Sequence, residues 1–248
     1  AAGGIQSLTV GGGGQAQHRV GFSLADMFLY KVLSATLDPT VSTGFKDAMC
    51  DGGTGKSGLE MGGAPVPCAQ APRVLWGHTQ PTWQLGVNST VTLWRNLRLY
   101  ARVDGNGGNI QSNTEIRALH NQGSTLAVIK RDDPIFLVYR SIENDAVGTY
   151  DAGFMRLREV SASYTLPGAM ARHIGATAAN VNLAGRNLMM LWTAQDGWGT
   201  SRDGLVHVPL ANQHVWDPEI RAVGQLSNGF QTILPTTASV VATVRLTY

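Results

Sequence analysis

Two cysteines, Cys50 and Cys68, are the residues whose spacing most directly suggests covalent chemistry. They lie 18 positions apart in the Gly/Pro-rich stretch DAMCDGGTGKSGLEMGGAPVPC. In an oxidising compartment they would close a loop worth on the order of 3 kcal/mol. Two unpaired thiols, or one half of a metal site, are the alternatives, but no His or Cys pair sits at zinc spacing to complete the latter. Within the same stretch, GGTGKSG at 52–58 invites comparison with a phosphate-binding loop. That motif needs a glycine where Cys50 stands, a strand before it and a helix after it. A Gly-rich, disulfide-closed surface loop fits better. Asp104-Gly105-Asn106-Gly107-Gly108 lacks the later glutamate of a helical calcium loop and reads as a strand exit. Asn88-Ser89-Thr90 has the form of a glycosylation acceptor but falls inside an alternating run. Of six histidines, none pairs at i+4; His207 and His214 share a segment with Asp203 and Asp217, without a ligand frame. No G-x-S-x-G elbow, Cys–His pair or framed carboxylate pair is present. The sequence therefore points to no catalytic constellation, metal or cofactor, and to a protein that is not an enzyme.

Composition narrows the class. Charged residues make up 15% and hydrophobic residues 43% of the 248, against roughly 25% charged in an ordinary soluble protein. Such an apolar chain with a net charge of +2 is not disordered. Thirty glycines, with much Thr, Asn and Val, work against a helical bundle. The small net charge gives no footprint for nucleic-acid binding. No run of 18 apolar residues exists for a membrane helix, but a barrel strand needs only ~9–11 alternating residues. The start, AAGGIQSLTVGGGG, lacks the basic and apolar regions of a signal peptide and is compatible with a processed or truncated start.

The elements that would position these residues are strands. Trp83, Leu85, Val87, Val91 and Leu93 alternate with Gln84, Gly86, Asn88, Thr90 and Thr92. After the break at Arg95-Asn96, Leu97, Leu99, Ala101 and Val103 alternate with Arg98, Tyr100, Arg102 and Asp104. Successive strand side chains point to opposite faces, so each run has one apolar and one polar face, and the short break makes a hairpin. Val160, Ala162 and Tyr164 continue the pattern after a phase shift that predicts a bulge near Arg158–Glu159. Ala179, Val181, Leu183, Met189 and Leu191 give another run, and Val240, Ala242, Val244, Leu246 and Tyr248 the last. A looser run over 22–37 brings the expectation to about six strands. Between them, 38–80, 105–152 and 194–235 read as long polar loops. Short connections alternating with long ones favour an outer-membrane barrel over a soluble antiparallel sandwich.

Five segments, in this order, resemble the C-terminal part of a SusC/RagA-type TonB-linked outer-membrane receptor. They are PTWQLGVNSTVTLWRNLRLYARVDGNGG; YDAGFMRLREVSASYTLP, with Asp151, Leu157, Val160, Tyr164 and Pro167; VNLAGRNLMMLW, with Gly185-Arg186-Asn187-Leu188; Trp216-Asp217-Pro218-Glu219; and the closing VVATVRLTY. The resemblance implies an all-β fold: antiparallel strands of a transmembrane β-barrel, C-terminal portion, with long extracellular loops, over residues 1–248. Members of this family are several times longer and carry a plug domain that has no counterpart in these residues. The stretch from Trp192 to Trp216 is also longer than the family's usual loop. About six strands of a wall of about 22 leave open edges that must pair with more barrel or with copies, or aggregate.

The implied function is import of glycans or oligopeptides across the bacterial outer membrane. The implied partners are the remainder of the barrel and its plug, a SusD-like surface lipoprotein, TonB acting through the plug, and outer-membrane lipid, with no nucleic acid. The alternative is a structural β-rich piece that assembles with copies or another chain into an extracellular layer or filament. Under the first reading Trp76, Trp198 and Trp216 are loop aromatics that could stack on a ligand, and Arg98, Arg102, Arg186 and Arg245 face the lumen. Trp83, Trp94, Tyr100, Tyr164 and Tyr248 fall where interfacial aromatic belts would, with Tyr248 ending the closing strand.

Overall fold

The computed structural model describes residues 6–10, 16–55, 57–113, 118, 121–124, 126–143, 145–194, 217–219, 229–230 and 236–248. In chain order the strands are β1 (Ser7–Thr9), β2 (Ala16–Arg19), β3 (Asp26–Leu29), β4 (Val32–Leu37), β5 (Phe45–Asp51), β6 (Pro65–Pro67), β7 (Val74–Gly77), β8 (Trp83–Leu93), β9 (Leu97–Gly107), β10 (Ile110–Asn113), β11 (Thr149–Asp151), β12 (Phe154–Thr165), β13 (Ala178–Thr193), β14 (Gly229–Phe230) and β15 (Ser239–Thr247). Among them lie helices α1 (Leu126–Lys130), α2 (Pro134–Ile142) and α3 (Gly168–His173). The chain divides into two compact units: Ala1–Thr82 with Gly108–Ala152 and Gln195–Ile233, and Trp83–Gly107 with Gly153–Ala194 and Leu234–Tyr248.

The second unit is one antiparallel sheet in the order β15-β13-β12-β9-β8. It is open, with β8 and β15 at its edges among the described residues. The β8–β9 hairpin pairs Leu93 with Leu97, and the turn takes positive φ at Trp94 (48°) and Arg95 (65°). That hand of turn matches the right-handed twist of the flanking strands. The predicted bulge is present: Leu157 pairs with Met189 but Glu159 with Arg186, so Arg158 stands opposite both Asn187 and Leu188. Asn187 takes φ +50° there, a conformation asparagine tolerates better than most residues.

The first unit corrects two expectations. The run over 22–37 is not a strand of the five-stranded sheet; it splits into β3 and β4, which join separate small sheets, β1-β2-β3-β7 and β4-β5-β6. Its alternation is poor because all four residues of β3 are buried. The segments 38–80 and 105–152 are not structureless loops either, since they supply β5, β6, β7, β10, β11 and helices to a unit with its own core. Helix α2 starts on Pro134, with the Asp133 carboxylate accepting from the backbone N–H groups of Ile135 (2.9 Å) and Phe136 (3.2 Å). It buries Phe136, Leu137, Val138 and Tyr139. The Tyr139 hydroxyl accepts from the Val32 N–H at 3.0 Å, and its ring meets Trp76 edge-on at 6.1 Å.

Cys50 and Cys68 are bonded, with a sulfur–sulfur distance of 2.01 Å, tying β5 to the turn after β6. Both belong to the buried cluster around α2. Alkylation under non-reducing denaturation should therefore find no free thiol, and two modified cysteines per chain would contradict the pairing. Because Cys50 is fully buried, replacing the pair by Ala should cost core packing as well as the roughly 3 kcal/mol of loop closure.

Candidate functional site

Cross-strand partners share a face of a sheet, so the register of the second unit shows what each face presents. Val91, Leu99, Ala162, Leu183 and Ala242 form one row across all five strands. Leu93, Leu97, Tyr164, Val181 and Val244 form the next. Ser89, Ala101, Val160, Gly185 and Val240 form a third. Val87, Val103, Leu157 and Met189 extend the surface toward the far end. This face is apolar and uncovered within its unit: Leu183 is 52% exposed and Val244 64%. Contiguous apolar surface on this scale marks a membrane or partner contact.

The opposite face is polar. Thr92, Arg98, Ser163, Asn182 and Thr243 make one row, and Asn88, Arg102, Glu159, Arg186 and Ser239 another. Arg245 pairs in register with Asn180, whose amide donates to the hydroxyls of Ser163 and Thr165 at 3.1 Å each. All four arginines singled out from the sequence thus share this face. Arg186 lies 3.6 Å from Glu159, and Arg102 lies 3.9 Å from Asp104. For Arg98 and Arg245 no ion pair forms among the described residues. Arg158 escaped sequence reasoning because the bulge puts it out of phase; its Nε donates to Asp104 at 2.7 Å.

The two ends of the sheet carry aromatic rings. Trp83 and Trp192, 6.3 Å apart, sit at the end where the chain leaves for its long segments. Trp94, Tyr164 and Tyr248 sit at the end with the short connections. Tyr100 does not join them, because its register with Thr90 and Ser161 puts it on the polar face. At 11 residues, β8 has the length of a strand that can cross a bilayer, about 9–11 residues. Trp83 lies over Gly107, where an added Cβ would come within 2.5 Å of the ring. Gly107→Val should displace the indole and cost about 1–3 kcal/mol, read as a tryptophan fluorescence shift with a lowered melting temperature.

Trp76 is corrected. It is 3% exposed, in the core of the first unit against Tyr139, and offers no surface for an external ligand. Its β7 neighbours Val74 and Gly77 are buried too, which is why a segment read as a loop keeps its indole inside. Trp198 and Trp216, like His207 and His214, lie outside the described residues. The adjoining Asp217-Pro218-Glu219 has a structural role: the buried Gln111 amide donates to the Pro218 carbonyl at 3.0 Å and accepts from the Tyr150 hydroxyl at 3.1 Å. One Asp–His pair was missed by sequence reasoning, Asp26 with His78 Nδ1 at 2.8 Å. No hydroxyl or thiol is hydrogen-bonded to that imidazole among the described residues. No described helix is long and apolar enough to cross a membrane, which leaves strands unaddressed.

No family model matches the sequence, and no curated protein does. Solved structures do. The RagAB peptide importer in its open-open state aligns with a TM-score of 0.63 and 16% identity, over 100% of this chain and 25% of that one. The closed-closed state gives 0.62 and 17%, over 98% and 25%, and a structure of the RagAB peptide transporter gives 0.53 and 16%, over 79% and 22%. This chain shares its fold with about a quarter of the importer chain. The fold is mainly antiparallel β, in open sheets.

Proposed function

We propose that the chain is the C-terminal part of the β-barrel of a TonB-dependent outer-membrane receptor of the SusC/RagA type, importing oligopeptides or glycans by a non-chemical mechanism. The observation that carries this reading is the two-faced sheet: five strands wide, apolar and uncovered on one side, hydrogen-bonded and arginine-bearing on the other. The fold likeness over the whole chain supports it. In this reading residues 1–248 belong to one barrel domain, with the apolar face in lipid and Arg98, Arg102, Arg186 and Arg245 in the lumen. β8 and β15 pair with the rest of the wall, and the plug lies in another part of the protein. A SusD-like lipoprotein covers the barrel from outside, TonB acts on the plug, and ligand capture shifts the balance between open and closed states. The long connections of the barrel are extracellular loops. Tyr248 sits at the periplasmic boundary, its ring body in lipid and its hydroxyl in water. A structural piece assembling through β8 and β15 would use the same edges but has no use for an apolar face exposed along its length.

Single cysteines test the reading, since both native thiols are bonded. In outer membranes, cysteines at Val87, Val91 and Leu99 should react with lipid-soluble reagents. Those at Gln84, Asn88 and Arg102 should react with water-soluble ones. The reverse assignment would sink the barrel reading.

A further inference from the structure

A cleft of about 740 Å3 opens in the first unit between β5, the turn after β6 and α2. Tyr30, Phe45, Met49, Val138 and Ile142 make its walls mainly apolar. Its volume falls within the roughly 300–1,000 Å3 of small-molecule sites.

Two charged side chains line it, and they are not equivalent. The Arg73 guanidinium is matched by the buried Glu143 carboxylate at 2.8 Å and rests 5.2 Å over the Tyr30 ring. That cation is already balanced. Asp47 is engaged by no hydrogen bond or ion pair among the described residues. Its neighbour Lys46 is committed elsewhere, to Asp38 at 3.2 Å. Asp47 also takes φ +53°, in the irregular part of β5 where the pairing with β4 slips between Ser34 and Thr36. The lining therefore presents one solvent-exposed carboxylate without a protein partner among the described residues, beside mainly apolar walls and the paired Arg73.

We propose that this cleft binds a small amphiphile carrying a single ammonium group on an aromatic or branched apolar body. The ammonium would sit at Asp47, and the body would replace water against Phe45, Met49 and Ile142. A neutral analogue forfeits the charge-assisted bond to the carboxylate, and an anionic one meets like charge. The inference holds whatever the five-stranded sheet faces, because every residue it uses belongs to the first unit.

Three matched probes test it on the full-length protein, in the detergent, lipid or buffer that keeps it folded, at pH 7: phenethylamine, 2-phenylethanol and 3-phenylpropionate, each titrated by saturation-transfer NMR. Phenethylamine should bind at least about ten-fold more tightly than the alcohol, and 3-phenylpropionate should not saturate. Asp47→Asn should bring the amine to the level of the alcohol while leaving the alcohol unchanged. Ala69→Trp, which fills the cleft from an exposed position, should abolish saturable binding of both. Equal binding of the three probes would overturn the proposal, as would an amine preference that survives Asp47→Asn or binding that survives Ala69→Trp.

Discussion

Val87→Arg should lower the stability of the full-length protein in lipid vesicles by roughly 2–4 kcal/mol, the cost of a cation near the midplane of a barrel's outer face. Thr90→Arg, three positions further along the same strand, should stay within about 0.5 kcal/mol. The contrast follows from register. Val87 belongs to the apolar row with Val103, Leu157 and Met189, between the aromatic ends of the sheet. Thr90 belongs to the polar-face row with Tyr100 and Ser161. The size of the effect decides between environments. In water a half-exposed valine replaced by arginine changes stability little, so a multi-kilocalorie penalty confined to odd positions of β8 can arise only where no water is available to the guanidinium. Urea titration of vesicle-embedded protein reads the difference directly, with the outer-membrane level of each variant as a second measure. Equal, small effects at both positions would remove lipid from the apolar face and turn attention to a partner protein.

What the sequence made legible was whatever repeats with period two. β8, β9, β12, β13 and β15 each carry an apolar and a polar set, and the slip at Arg158–Glu159 was visible because Met155 and Leu157 fall out of phase with Val160. The first unit lacked such a signal for a physical reason. Its strands are mostly short, and two of them, β3 at Asp26–Leu29 and β7 at Val74–Gly77, are largely buried along their length, so alternation has no room to appear. Their partners also come from distant segments: Tyr139 caps Val32 across 107 positions. Trp76 was misplaced for the same reason, since nothing local distinguishes an indole in a loop from one in a core built later in the chain. The arginines of the polar face were legible as a set, but their pairing was not. Whether Arg186 meets Glu159 depends on the bulge register and not on composition.

Asp51→Ala should destabilise the first unit by roughly 3–5 kcal/mol, mainly by releasing the glycine-rich loop after β5. Asp51 is 3% exposed. One carboxylate oxygen accepts from the N–H groups of Gly53 and Gly63, each at 2.8 Å, and the other from Gly62 at 2.6 Å. Each bond to a charged acceptor is worth about 1.5–3 kcal/mol, and the total should fall short of the sum because part of the loop can recover water. Asp51→Asn should be intermediate, because its oxygen can keep two of the donors while its amide confronts the third. The glycines are fixed by the same packing: a Cβ on Gly53 would lie 2.0 Å from the Gly58 carbonyl oxygen, and one on Gly63 would lie 2.2 Å from that of Gly53. Amide exchange at Gly53, Gly62 and Gly63 should accelerate strongly in the alanine variant while the amides of β9 and β12 keep their protection. Unchanged exchange in the loop would assign its order to the Cys50–Cys68 bond instead. Clustered backbone N–H groups in a glycine-rich turn demand an anion, and here Gly53 of the GGTGKSG stretch, with Gly62 and Gly63 beyond it, receives it from the chain's own Asp51.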